Sequence, residues 1–282
     1  MYSSYVASNF DYCSALYGSA SLALLAKLDK LHYQAGVICA GVLHGSDTSK
    51  VFQCLNWKTL SQRRNEKNVR IMFKINKRNV AQYICDIFDK YRNPATRLLR
   101  HSMPYNIPTN VSIRLLKAPV LNIIKQWNNL SQLIRELPTI SSFKNAVRST
   151  ILPNINFIPT TKLNLTRSNE KILNRLRVDF FLKEHFFSHN FIGVTDNKCP
   201  CGSLENTKHF LLSCPRHTDD RTNMITALRQ NNLLYDENIY TNRNDQVKYL
   251  LYENTLSRDS QNLLLNIVLN FVRSCYIHPL RI

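Results

Sequence analysis

The 282 residues of this chain include 37 lysines and arginines against 19 acidic residues, which gives a formal net charge of +18. A hydrophobic content of 44% is enough for a buried core, whereas six glycines supply little material for tight β-turns or glycine-rich phosphate loops. These totals favour helices, and the charge favours a polyanionic partner, nucleic acid first and an acidic membrane surface second. An inert basic surface is the alternative.

No segment of the sequence is typical of a secretory signal or a membrane span. Residues 1–8 lack a basic region followed by an apolar run, and no apolar run approaches about 18 residues. Five cysteines are scattered in apolar contexts, as is typical of free thiols in a reducing compartment. They are Cys13, Cys39, Cys54, Cys85 and Cys275. We therefore expect an intracellular protein, nuclear or cytoplasmic, and the abrupt start of the sequence suggests a piece of a longer one.

Residues 1–152 are predicted to form a first, helical region. Alternating spacings of four and three between apolar residues predict a helix over residues 21–43. The residues expected to face the core are Leu24, Leu28, Leu31, Ala35, Ile38 and Val42. A second amphipathic helix is predicted over residues 59–80, where apolar and basic side chains alternate with helical spacing.

The rest of the first region is predicted from prolines and apolar spacing. Prolines interrupt residues 92–119, which we interpret as a loop with one short strand. Apolar spacing predicts a helix over residues 120–137, Pro138 ends it, and Ser141 starts another. Trp127 is expected in the core, and a platform for base stacking is the alternative.

One side of the helix predicted over residues 59–80 carries a run of positive charges. At 3.6 residues per turn the basic residues fall within about 100° of arc, and only Glu66 interrupts the run. The residues expected to contact phosphates are Arg63, Lys67, Arg70 and Lys74. The alternative is a solvated face above a core.

Residues 153–166 are predicted to be a linker because they combine two prolines with polar, unperiodic sequence. Residues 167–282 should then contain a basic helix, a small metal module and a helical tail. The basic helix is predicted over residues 168–187, with Lys171, Arg175 and Arg177 as further phosphate contacts. The tail helices are predicted over residues 219–233, 245–253 and 258–275.

Four metal-capable side chains lie within sixteen residues, in the pattern C-x-C-x7-H-x4-C. They are Cys199, Cys201, His209 and Cys214. A tight turn brings the first two thiolates together, and a short helix over residues 208–213 would present the histidine. Four protein donors close a tetrahedral shell, so the pattern predicts a structural zinc ion in a module over residues 199–217. His217 is near enough in sequence to compete as a ligand.

The sequence contains no recognisable catalytic constellation. Asp219 and Asp220 stand at a predicted helix start, where capping explains them, and Asp86 lies in an amphipathic segment without strand context. His185 and His189 have ligand spacing on a helix, but aromatic neighbours favour ordinary packing. We therefore expect no enzyme activity. A metal-dependent nuclease or polymerase using Asp86 or Asp219 is the least favoured hypothesis.

Several stretches of the sequence match the pattern of one known family. They include NFDYCSALYG at 9–18, SLALLAKLDKLHYQAG at 21–36 and LNWKTLSQRR at 55–64, and the W-N and F-K stretches at 115–137 and 140–152. The most specific stretch is ILNRLRVDFFLKEHFFSHNF followed by CPCGSLENTKHFLLSCPRH. Together they resemble the C-terminal region of non-LTR (LINE-type, jockey-like) retrotransposon reverse transcriptases, and the last stretch is similar to that family's terminal zinc-binding segment.

This resemblance implies a parent protein that is an RNA-directed DNA polymerase. The chain lacks the Y-x-D-D or F-x-D-D motif of the polymerase, so the implied role is that of a non-catalytic part beside the thumb. It would bind template RNA or target DNA and contact the polymerase core of its parent. Two alternatives remain: a helical module that docks a partner protein, and an inactive remnant of a mobile element.

Overall fold

The structure is a computed structural model that describes residues 2–94, 103–109, 112–151, 157–179, 182–236 and 239–275. Within these ranges the chain is mainly helical and has no β-strand, only two isolated bridges, which join Arg92 to Tyr105 and Lys198 to Leu204. The prediction of a mainly α fold is confirmed. Every helix in the described ranges is too short or too polar to cross a lipid bilayer.

The α-helices of the described residues are labelled α1 to α15 in chain order. They are α1 (Ala7–Asp11), α2 (Ser14–Tyr17), α3 (Leu22–Ala40), α4 (Thr48–Leu55), α5 (Leu60–Asn76), α6 (Gln82–Asp89), α7 (Ile113–Leu116), α8 (Pro119–Asn128), α9 (Gln132–Arg135), α10 (Ile140–Ile151), α11 (Arg167–Arg177), α12 (Lys183–Ser188), α13 (Thr218–Gln230), α14 (Arg243–Tyr252) and α15 (Arg258–Cys275). Tyr2–Val6 and His209–Ser213 are π-helical turns, and Thr160–Lys162 and Pro215–His217 are 3-10 turns.

The helices form two compact units. The first comprises Met1–His32 and Lys58–Asn154, and the second comprises Tyr33–Trp57 and Ile155–Ile282. This division differs from the sequence-based one, which placed all of residues 1–152 in one region. Residues 33–57 group with the second unit because they pack on it: Val51, Phe52 and Leu55 share a buried cluster with Phe157 and Val178.

The first unit is built around α5, which packs against α2, α6, α8 and α10. A capping box starts this helix, since the Thr59 hydroxyl accepts from the Gln62 backbone N–H and the Gln62 side chain accepts from the Thr59 N–H. Phe73 stacks on Phe143 with ring centroids 4.4 Å apart, and Trp127 lies 5.9 Å from the same ring. Trp127 is 1% exposed, which confirms its predicted place in the core.

The buried face of α3 differs from the predicted one. Leu24, Leu31 and Ile38, which were expected in the core, are 55%, 53% and 75% exposed. The helix instead buries Leu25, His32, Val37 and Ala40. Polar and small residues fix this register, because His32 hydrogen-bonds the Tyr2 hydroxyl and the Lys58 carbonyl, and Gly36 lies against the ring of Phe52.

Other predicted elements of the first unit are partly correct. The helix predicted over 59–80 is α5, whereas the one predicted over 120–137 is two helices, α8 and α9, because Ser131 adopts an extended backbone. The short strand expected within 92–119 is a single bridge, and residues 95–102 and 110–111 lie outside the described residues. Helix α6 of this unit was not predicted, and neither was α4 of the second unit, although Asp47 caps α4 through the Lys50 N–H.

In the second unit α11 packs against α4, α14 and α15, and α13 packs along α15. The predicted tail helices correspond to α13, α14 and α15. The basic helix predicted over 168–187 is two helices, because Asp179 has a φ of +58° and ends α11; residues 180–181 lie outside the described residues. Residues 153–156 of the predicted linker also lie outside them, while Phe157, Thr160 and Leu163 are buried.

We predict that His32 makes the stability of the first unit depend on pH. His32 is 2% exposed, and burial lowers its pKa more than the hydrogen bond to the Lys58 carbonyl raises it. As the pH falls below about 6.5, the unfolded chain binds a proton at His32 before the folded chain does, so stability is lost at up to about 1.4 kcal/mol per pH unit. When thermal unfolding is measured from pH 7.5 to pH 5.5, the stability of the His32→Gln variant should decline less than that of the wild type.

The matched control is His44→Gln, because His44 is exposed. This control should follow the wild-type pH profile. Identical profiles for wild type and His32→Gln would contradict the assignment of the pH dependence to His32.

Candidate metal centre

A tight backbone turn positions Cys199 and Cys201. The Cys199 N–H donates to the Ser203 carbonyl and the Gly202 N–H donates to the Cys199 carbonyl, each at 2.8 Å. Gly202 has a φ of +92°, a backbone conformation that residues other than glycine rarely adopt. The bridge between Lys198 and Leu204 closes the hairpin. This turn explains why a C-x-C spacing places both sulfurs at one site.

A short π-helical turn positions His209 and Cys214. The Asn206 side chain accepts from the His209 N–H at 2.9 Å at the start of this turn, and the Cys214 N–H donates to the His209 carbonyl at 2.7 Å at its end. Arg221 stabilises the C-terminal end of this turn, because its guanidinium donates hydrogen bonds to the Leu211 and Cys214 carbonyls. The short helix expected over residues 208–213 is therefore present, and it presents His209.

These turns bring the four donor atoms of Cys199, Cys201, His209 and Cys214 within 4.8 Å of one another. The Cys199 and Cys214 sulfurs are 3.6 Å apart, and the Cys201 sulfur lies 3.1 Å from His209 Nε2. Cys199 and Cys214 are buried, whereas Cys201 and His209 are half-buried. The cluster can hold a metal ion, and four protein donors leave no position for a substrate in a tetrahedral shell.

The protonation of the cluster favours metal binding at His209 and Cys201 and opposes it at Cys199. Burial raises the pKa of Cys199 to about 11, while the hydrogen bond from the Ser203 backbone holds the pKa of Cys201 below its ordinary value. Burial, with Arg221 and Arg243 nearby, lowers the pKa of His209, so its imidazole is neutral at pH 7. A metal ion would meet a neutral histidine and displace the proton from Cys199.

The competing ligand His217 lies elsewhere. Its donor atom groups with those of Asp220 and Cys275, not with the four residues of the cluster. The ring of His217 meets that of Phe210 edge-on with centroids 5.4 Å apart.

The basic side chains predicted on α5 are mostly engaged within the first unit. Arg63 Nε donates to an Asp11 carboxylate oxygen at 3.0 Å, and Lys67 Nζ donates to the Asp11 carbonyl at 2.6 Å. Arg70 lies 3.9 Å from Glu66. Lys74 is exposed and has no ion pair within the described residues.

The basic side chains predicted on α11 are engaged in different ways. Arg177 is 1% exposed and donates to the Leu251 and Ile158 carbonyls at 2.9 Å, with its guanidinium 4.5 Å from the centre of the Phe157 ring. Burial lowers its pKa to about 10. Arg175 is half-buried and donates to the Gly41 carbonyl at 2.9 Å. Burial removes Arg177 from the candidate phosphate contacts, whereas Lys171 is exposed.

Three basic residues beside the cluster were missed in the sequence. They are Lys198, Lys208 and Arg216, each one or two residues from a cluster member. All three are exposed, and within the described part of the chain none forms an ion pair. Their positions next to the predicted ligands could have identified them. The spacing of basic residues instead favoured the longer helices α5 and α11.

The chain matches no protein-family model, no curated protein and no solved structure. The resemblance of the sequence to retrotransposon reverse transcriptases therefore stays a prediction.

We predict that Cys201→Ser removes the metal ion and destabilises the second unit. A serine hydroxyl is a poor replacement for a thiolate, and loss of a metal site is among the changes that destabilise a protein by about 4 kcal/mol or more. The measurements are metal content by mass spectrometry and the unfolding midpoint with and without a chelator. Cys39→Ser, which alters a half-buried thiol outside the cluster, should keep the metal. Equal metal content in wild type and Cys201→Ser would exclude Cys201 as a ligand.

Proposed function

We propose that this chain is a non-catalytic nucleic-acid-binding module whose basic surface is positioned by a structural zinc ion. The observation that carries the proposal is the set of exposed cations beside the cluster: Lys198, Lys208 and Arg216. Each lies one or two residues from a cluster residue. A metal ion that fixed the cluster would therefore also fix the backbone positions from which these three side chains extend. RNA or DNA is the polyanion that such a patch fits.

Zinc is the ion that the donor set fits best. Three thiolates and one imidazole are a soft, closed set of the kind that holds structural zinc. A tetrahedral zinc ion would need edges of about 3.8 Å between sulfurs and about 3.6 Å between sulfur and nitrogen. The Cys199–Cys214 edge of 3.6 Å is close to the first value, and the Cys201–His209 edge of 3.1 Å is shorter than the second.

The balance of charge supports a polyanionic partner. The chain has 18 more basic than acidic residues, and several of the acidic ones are already paired with basic residues of their own unit. Lys74 in the first unit and Lys171 in the second remain exposed and unpaired within the described ranges. We include both among the proposed phosphate contacts, together with the three cations beside the cluster.

The carboxylates do not favour catalysis. Asp86 is exposed and accepts from Gln82, and Asp89 is paired with Arg78 and Arg92. Within the described residues neither belongs to a group of metal-capable side chains, and Asp219 does not either. The proposal is therefore binding without chemistry, as expected of the C-terminal part of a non-LTR reverse transcriptase without its polymerase core.

The test is fluorescence anisotropy of labelled single-stranded RNA against zinc-loaded protein over a salt series. We expect affinity to fall steeply with salt and to drop after chelation. Replacing Lys198, Lys208 and Arg216 together by alanine should lower the slope of log affinity against log salt by about 2, since each phosphate contact on a single strand contributes about 0.7.

The charge-matched control replaces Lys27, Lys30 and Lys90, three exposed lysines distant in sequence from the cluster. A slope that falls equally in both triple variants would show that charge alone matters. Absence of RNA binding at low salt would overturn the proposal.

A second candidate function, binding of a partner protein, is favoured by the exposed stripe of α3. Leu24, Leu31 and Ile38 are seven residues apart, which is the repeat of a helix-packing seam. Lys27 and Lys30 flank it, so the occupant that fits is an amphipathic helix with acidic flanks. Replacing Leu24 and Leu31 by glutamine should leave RNA binding unchanged. Loss of RNA binding in this variant would instead assign the stripe to RNA and remove the observation that favours this second function.

A further inference from the structure

A second group of donor side chains lies where the start of α13 meets the end of α15. It consists of His217, Asp220 and Cys275. Their donor atoms all lie within 4.8 Å of one another, and the Cys275 sulfur is 3.9 Å from a carboxylate oxygen of Asp220. All three residues are half-buried, so the group is neither sealed in the core nor fully open to water.

The fold brings these residues together from distant parts of the sequence. His217 ends the 3-10 turn that follows the metal cluster, and Asp220 lies in the first turn of α13, three residues later. Cys275 is the last residue of α15, which packs along α13. The Phe210 ring packs against His217 and, at a centroid distance of 5.5 Å, against Phe271 of α15. The packing therefore fixes the positions of the donors.

We propose that His217, Asp220 and Cys275 form a second site for a borderline divalent cation, with zinc as the ion of choice. An imidazole nitrogen, a carboxylate oxygen and a thiolate are each zinc ligands, and three protein donors leave the fourth tetrahedral position to water or an external ligand. This separates the site from the closed cluster of residues 199–214. A zinc ion with three protein ligands and one open position can exchange with zinc in solution and can bind small ligands.

The charges around the group limit the affinity but do not prevent binding. A thiolate and a carboxylate together balance the charge of a divalent ion. Arg216 and Arg221 are the neighbouring cations, and the Arg221 guanidinium is already held by the Leu211 and Cys214 carbonyls. We therefore expect the site to bind more weakly than the cluster, which has three thiolates.

Helix capping alone does not account for the group. Acidic residues favour the first turn of a helix, which explains Asp219 and Asp220 equally well. Only Asp220, however, contacts Cys275 and lies with His217. The alternative is a thiol that donates a weak hydrogen bond to Asp220 with the histidine nearby, and this alternative binds no metal.

The test uses the full chain loaded with one equivalent of zinc and then titrated with cobalt(II). Cobalt binds such sites less tightly than zinc, so it should fill the second site without displacing the first ion. We expect one further equivalent to bind, with a sulfur-to-cobalt charge-transfer band in the near ultraviolet. Cys275→Ser should abolish the band, whereas Cys39→Ser should keep it.

A second matched pair keeps the inference falsifiable if Cys275→Ser folds poorly. Asp220→Asn should weaken cobalt binding at least tenfold, while Asp219→Asn, one residue away and exposed, should leave it unchanged. Absence of a second equivalent in the wild type, a band that survives in Cys275→Ser, or unchanged cobalt affinity in Asp220→Asn would overturn the inference. These measurements do not depend on RNA binding, so the inference of a second metal site can fail while the proposed function stands, and the reverse.

Discussion

The convergence of four donor side chains on one point is the constraint on which the module at residues 199–214 depends. Between Cys199 and His209 only Cys199 and Thr207 are buried, so this segment has almost no apolar core of its own. A metal ion would supply the folding free energy that burial does not. The next residues, Phe210 and Leu211, are buried in the helical core of the second unit. The module is therefore held at one end by donors and at the other by apolar packing.

Local patterns predicted several of the longer helices, such as α5 and α15, and the grouping of the four donors, because their determinants lie close together in the sequence. The cluster spans sixteen residues, and its C-x-C turn requires only the hairpin that Gly202 permits. Long-range contacts were not predictable in this way. Arg177 has the sequence of a surface cation on a basic helix, yet its partner Leu251 lies 74 residues away and makes it a core residue. Arg63 was likewise predicted to contact phosphate. Its actual partner, Asp11, lies 52 residues away in the sequence, so a local pattern does not reveal the ion pair.

The same limit explains the face of α3 and the second group of donors. The apolar spacing of α3 predicts a stripe but not which neighbours cover it, and His32 and Gly36 set the register instead. Cys275 has the sequence context of an isolated thiol, and only the packing of α15 on α13 places it beside Asp220. In both cases the decisive contact joins residues that no short motif connects.

The central claim is that residues 199–214 form a closed shell of three sulfurs and one nitrogen around zinc. X-ray absorption at the zinc edge, on protein loaded with one equivalent of zinc, tests it most directly. The account predicts a first shell of three sulfurs at about 2.3 Å and one nitrogen at about 2.0 Å, with no water oxygen. A shell with two or fewer sulfurs, or with oxygen in it, would contradict a closed structural centre and the role that we assign to it.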